Sequence, residues 1–167
     1  SDMDDLCQNK RPYFLGAIIL KKLTNDGHRK SIVDGQQRLT TLLILLKILS
    51  LKDEETKYEF NFCFGKKDGD KKNPKLVHSY YDKEAFDTIF HLDSIVDLDG
   101  DNRIIEAYEY LKNHISSFTL DYETIITNIL FVVIDIEENE DEQQIFETIN
   151  SVGRKLTTGE LLKNFIF

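Results

Sequence analysis

Between positions 34 and 42 the chain reads Asp34-Gly35-Gln36-Gln37-Arg38-Leu39-Thr40-Thr41-Leu42, a run in which most side chains can hold or orient an anion. Arg38 offers a planar fork matched to phosphate oxygens. Gln36 and Gln37 each donate and accept, Thr40 and Thr41 add hydroxyls, and Gly35 lets a ligand approach the backbone closely. From Gln37 onward the apolar residues Leu39, Leu42, Leu43, Leu46 and Leu49 recur at helical spacing, which predicts a helix starting directly after the glycine. The first amides of such a helix have no partner within it, and its dipole is positive at that end. The run therefore predicts a cradle for phosphate or another anion, with Asp34 placed to hold a metal, orient Arg38 or bind a ribose hydroxyl. A structural reading stands beside it: Asp34 as a helix N-cap and Arg38 as its exposed ion-pair partner. Two glutamines followed by arginine, however, are asked for by no local folding rule.

The elements that must position this run are legible in part. Tyr13–Leu20 is a near-continuous apolar stretch, as in a strand buried on both faces. Asn25-Asp26-Gly27 signals a turn, so a hairpin to a strand at Lys30–Val33 is expected. Tyr58–Phe64 alternates large apolar with polar or small residues and predicts a half-buried strand; Gly65–Lys75 reads as a flexible polar loop. Helices are expected near Ser79–Phe90, Asn102–Phe118 and Tyr122–Asn128, then a strongly apolar strand at Leu130–Ile136. A helix with Ile145, Phe146 and Ile149 inward follows and stops at Asn150–Gly153, and Thr157 and Glu160 have capping-box spacing for another. The fold class is thus α/β (α+β), a small mixed sheet with strands near 13–23, 29–34, 58–64 and 130–136. We expect one domain, its core about 11–64 and 129–167, with a helical insertion at about 76–128.

Composition narrows the class further. The chain has 167 residues, 41% of them hydrophobic, enough for a real core. No run approaches the roughly 20 apolar residues of a membrane helix, and no secretory leader is visible, so a cytoplasmic protein without a membrane partner is expected. Cys7 and Cys63 are too few and too far apart for a disulfide framework or zinc site, which predicts reduced thiols. A formal net charge of −9 argues against this chain wrapping DNA unaided. Ser1-Asp2-Met3 reads as a tag remnant, and the chain stops inside the apolar run Leu161–Phe167, so a fragment of a longer polypeptide is expected.

Tyr13-Phe14-Leu15-Gly16 followed by Val33 to Leu42 resembles the signature of the amino-terminal domain of GmrSD-type modification-dependent restriction enzymes. Phe146-Glu147-Thr148-Ile149-Asn150, with Gly153, Leu156-Thr157 and Glu160 to Asn164, is similar to that family's second motif. The resemblance implies a fold like that of ParB and sulfiredoxin, and nucleoside triphosphate bound by Asp34, Gly35, Gln36, Gln37 and Arg38, with Thr40 and Thr41 close by. It implies Asp34, Gln37 and Arg38 as the catalytic set for NTP hydrolysis. By analogy with an asparagine-to-arginine motif in ParB, Asn150 and Arg154 approach the phosphates or a Mg²⁺ ion from the other side. Asp34, Asn150 or Glu147 would supply oxygen ligands for Mg²⁺. Members of the family usually carry an upstream tyrosine-glutamine-arginine element and often a downstream histidine-containing nuclease domain; neither is present in this sequence. The expected role is a nucleotide-binding, NTP-hydrolysing regulatory domain of a prokaryotic restriction or phage-defence protein, reaching DNA only through other parts of that protein, with a homo-oligomer open. Two alternatives stand: a ParB-like metal-dependent DNA nuclease, and a non-catalytic module recognising DNA or a partner.

Other features read as structural. His28, His78, His91 and His114 form no His-Asn-His arrangement and are expected as surface or satisfied core residues. Asp97, Asp99 and Asp101 imitate a calcium loop, but the glycine falls at 100 and Tyr108 stands where the bidentate glutamate belongs. Lys66, Lys67, Lys71, Lys72 and Lys75, interspersed with Asp68 and Asp70, are expected as a solvated loop.

Overall fold

The computed structural model describes residues 12–23, 29–69, 71–115 and 120–153, without the side chains of 71 and 149–153. In chain order the elements are β1 (Tyr13–Lys22), β2 (Lys30–Asp34), α1 (Gln36–Ser50), α2 (Glu54–Phe64), β3 (Gly65–Asp68) and β4 (Lys71–Pro74). They continue as α3 (Tyr80–Phe90), α4 (Arg103–Ile115), α5 (Tyr122–Asn128), β5 (Ile129–Ile136) and α6 (Glu142–Gly153). Contacts divide the chain into two compact units, with boundaries at Leu39/Thr40 and Asn128/Ile129.

The first unit holds the expected mixed sheet, in the order β2-β1-β5. β1 pairs antiparallel with β2 and parallel with β5. Both pairings are irregular along β1: the β5 ladder slips between Phe14 and Gly16, and the β2 ladder between Ile19 and Leu20. Such bulges bend a strand and re-aim its side chains. Gly16 sits in the first of them with φ +125°, a backbone region closed to most residues. Lys30 reaches Asp135 at 2.6 Å, and Lys21 meets Glu142 of α6 at 3.3 Å. These exposed pairs contribute only about 0–1 kcal/mol each. The turn at Asn25-Asp26-Gly27 and the Thr157–Glu160 capping box lie outside the described residues.

The second unit is helical. Leu43–Ser50 of α1 is buried throughout, not on one stripe alone, so the stripe of leucines understates its burial. Phe60, Phe86, Phe90, Tyr108 and Ile125 complete its core. Lys47 is buried with them, its ammonium 5.3 Å from the Phe60 ring centre and 5.9 Å from that of Phe90. In the Asp97–Asp101 segment Asp97 pairs with Lys112 at 2.5 Å, and Glu109 accepts from the Leu98 amide at 2.7 Å. The Tyr108 hydroxyl donates to the Val96 carbonyl at 2.9 Å.

Two expectations are corrected here. Residues 58–64 form not a strand but the end of helix α2. Asp53 caps it, accepting from the Thr56 amide at 2.9 Å, and Glu54 and Glu55 complement the dipole of the first turn. The period-two run Phe60, Phe62, Phe64 is two helical pairs: Phe60 and Phe64 lie 5.1 Å apart inward, while Tyr58 and Phe62 stack outward. The expected loop after it is a two-stranded hairpin, β3–β4, turning at Gly69 with φ +60°. Residues 58–64 therefore supply no fourth strand to the β2-β1-β5 sheet.

Candidate functional site

The β2–α1 junction is built from two glycines and an arginine. α1 opens immediately after Gly35, whose carbonyl accepts the Leu39 amide at 3.0 Å. Gly35 has φ +93°, and a Cβ there would stand 3.1 Å from the Ala17 carbonyl oxygen and 3.3 Å from Arg38 Nη2. Glycine is thus required by both conformation and space. Arg38 does not extend into solvent. Its Nη2 donates to Asp34 Oδ2 at 2.9 Å and to the Ala17 carbonyl at 2.8 Å. The guanidinium lies over Gly16, where a Cβ would sit 3.5 Å from Cζ and Nη1 and 3.6 Å from Nε. The ion-pair half of the structural reading is therefore observed, but Gly35 rather than Asp34 stands at the helix start.

This brace leaves part of the guanidinium unused. Arg38 Nε is buried without a hydrogen-bond partner, and among the described residues nothing engages Nη1. A buried donor left unmade costs about 1–3 kcal/mol. The amides of Gln36, Gln37 and Arg38 at the helix start have no partner within the helix. Gln36 and Gln37 are exposed on that first turn. The residues fit an oxyanion. For Mg²⁺ the junction supplies one carboxylate, Asp34, whose Oδ2 already serves Arg38. That suits an ion which keeps waters and substrate phosphates as its main ligands. Among the described residues no group of three or more His, Cys, Asp or Glu could hold a metal by itself.

The remaining expected site residues lie as follows. Thr40 belongs to the second unit, its hydroxyl sharing a 2.8 Å hydrogen bond with His78 Nε2. Thr41 is half-buried. Glu147 is exposed on α6 and accepts from Gln143 at 3.0 Å. Asn150 lies in the last turn of α6, its side chain outside the described set, and Arg154 lies outside the described residues. His78, expected as a surface or satisfied core residue, is buried against Phe86 at 4.1 Å with Nδ1 unpartnered. Burial pushes its pKa down against the opposing fields of Asp82 and Asp87. Gly16, named above only as part of the family signature, and the Ala17 carbonyl are site components to which the sequence assigns no role. The available signal was a glycine inside an apolar strand run, which often marks a bulge or a close backbone approach.

A mixed three-stranded sheet and a helix start framed by glycines, with the residues of a second unit lying between β2 and β5 in sequence, define an α/β domain. The chain belongs to the family of the GmrSD restriction endonuclease N-terminal domain, whose pattern matches residues 1–167. It is thus a domain of the restriction and phage-defence kind. No curated protein and no solved structure matches it. Among the described residues no helix is long and apolar enough to cross a membrane.

Proposed function

We propose that this chain is a nucleotide-binding regulatory domain that takes the phosphates of a nucleoside triphosphate at the Gly35–Arg38 junction. The observation that carries the reading is Arg38: braced by Asp34 and the Ala17 carbonyl, it keeps a buried, unpartnered Nε at the amino end of α1. A guanidinium already immobilised by its neighbours loses little side-chain entropy on meeting a phosphate. Asp34 has two roles in this reading: it fixes Arg38 through Oδ2, and its carboxylate would help to hold Mg²⁺, which would supply neutralisation of the phosphate charge. Gln37, exposed on the first turn, orients the water that attacks the terminal phosphorus as the bond to the bridging oxygen breaks. Nucleotide state at this junction then regulates a nuclease elsewhere in the parent protein.

Calorimetric titration of ATP and GTP, each with Mg²⁺, against wild type, Arg38→Ala and Arg38→Lys tests this. Loss of a charge-assisted hydrogen bond is worth about 1.5–3 kcal/mol, so Arg38→Ala should weaken binding roughly tenfold or more. Arg38→Lys should restore little, because an ammonium cannot hold Asp34, Ala17 and a phosphate in one plane. Equal affinity for wild type and a folded Arg38→Ala would remove Arg38 from the site. Gln37→Ala should leave affinity close to wild type and slow phosphate release.

A further inference from the structure

The outward side of α2 and the adjoining hairpin carry a combination that core packing does not explain. Tyr58 and Phe62, one helical turn apart, are 68% and 69% exposed, with rings stacked at 6.4 Å and 17° between planes. Two large apolar rings side by side in water gain nothing from burial. Beside them Lys67 of β3 and Lys72 of β4 are direct cross-strand partners, so both project from the same face of the hairpin. Like charges placed opposite each other are destabilising. Among the described residues neither lysine makes an ion pair. Lys72 instead holds its ammonium 5.5 Å from the centre of the Tyr58 ring.

We propose that Tyr58, Phe62, Lys67 and Lys72 form a docking surface for a single-stranded nucleic acid. Bases have flat π faces and the strand between them repeats a negative charge. Paired aromatic faces beside unneutralised lysines meet both features, which is how sequence-tolerant single-strand binders work. Neither an acidic peptide nor a duplex uses the set: an acidic peptide leaves the rings unstacked, and duplex bases are stacked within the helix. The patch is small: its two rings offer stacking for about two bases. Glu55, a turn before Tyr58, and Glu59, between Tyr58 and Phe62 in sequence, are also exposed on α2 and limit the patch with negative charge. Asp68 belongs to the other face of the hairpin, where Asn73 donates to it at 3.3 Å. A net charge of −9 for the whole chain does not set the sign of this patch. The proposal is independent of the phosphate junction, since none of its residues belongs there.

Fluorescence anisotropy of end-labelled oligothymidylate, oligouridylate and a random duplex, titrated with the full 167-residue chain at several salt concentrations, tests it. Both single strands should bind weakly and saturably, and the duplex more weakly still; a deoxyribose or ribose preference would identify DNA or RNA as the source. Tyr58→Ala or Phe62→Ala should weaken single-strand binding about 5- to 150-fold, the usual loss for one stacked base. Lys67→Glu with Lys72→Glu should flatten the logarithmic salt dependence by about 1.4, two contacts at roughly 0.7 each. All four side chains are exposed, so unchanged thermal melting by circular dichroism certifies the fold. Absence of saturable single-strand binding at low salt overturns the proposal. So does single-strand binding that survives loss of both rings, or duplex binding as tight as single-strand binding.

Discussion

Replacing Gly35 with alanine is the sharpest probe of how the β2–α1 junction is built. At φ +93° an alanine carries backbone strain of about 1–3 kcal/mol. Its Cβ would also stand 3.1 Å from the Ala17 carbonyl oxygen and 3.2 Å from Ile18 Cγ1. The carbonyl belongs to a paired strand and cannot swing aside, so overpacking adds about 1–3 kcal/mol. The total is about 2–6 kcal/mol, a large share of a domain's stability. Gly16→Ala isolates the conformational part: φ is +125°, but the new Cβ meets Arg38 only at ordinary contact distances of 3.5–3.6 Å. It should cost about 1–3 kcal/mol, and less than Gly35→Ala. Urea unfolding followed by circular dichroism gives both values from shifts in midpoint at constant slope. Adding Arg38→Ala to Gly35→Ala should recover part of the loss, because Nη2 is one of the crowding atoms at 3.3 Å. A Gly35→Ala protein within 0.5 kcal/mol of wild type, on the order of ordinary surface changes, would refute the packing described here.

Three further outcomes follow from the buried groups and the helix cap. The His78 pKa is lowered by burial below its free value of 6.5, so its contribution to stability is complete above that pH and declines as pH falls through it. Urea midpoints between pH 7 and 5 should therefore fall more steeply for wild type than for His78→Gln; parallel slopes would contradict this. Lys47 is pushed down to about 8 by burial, so between pH 8 and 10.5 the unfolded chain binds the extra proton and stability rises with pH. Lys47→Met should raise stability at pH 7 by up to about 3 kcal/mol, reduced by the lost ring contacts, and should flatten that alkaline slope. Asp53→Ala removes the cap of α2 and should cost about 1 kcal/mol in the same assay; no change would question the helical assignment of residues 54–64.

Local patterns alone determined much of this protein. The apolar runs of β1 and β5, the change of period after Gly35 and the helices from Tyr80 to Asn128 follow from nearest-neighbour chemistry, and each is where the residues predict it. The junction was legible for the same reason: Asp34, Gly35 and Arg38 lie within one helical turn, so spacing along the chain already brings them together. Residues 58–64 failed because large aromatics at every second position satisfy a strand face and two helical i,i+4 pairs equally well. The cap at Asp53 and the packing of Phe60 on Phe90 at 5.5 Å decide for the helix. Only the tertiary structure could show that Arg38 lies on Gly16 and binds the carbonyl of Ala17, about twenty residues away in sequence and adjacent only through strand pairing. It also turned Thr40 toward His78 and set Lys67 against Lys72 beside Tyr58, because those meetings depend on register and packing, which no local spacing encodes.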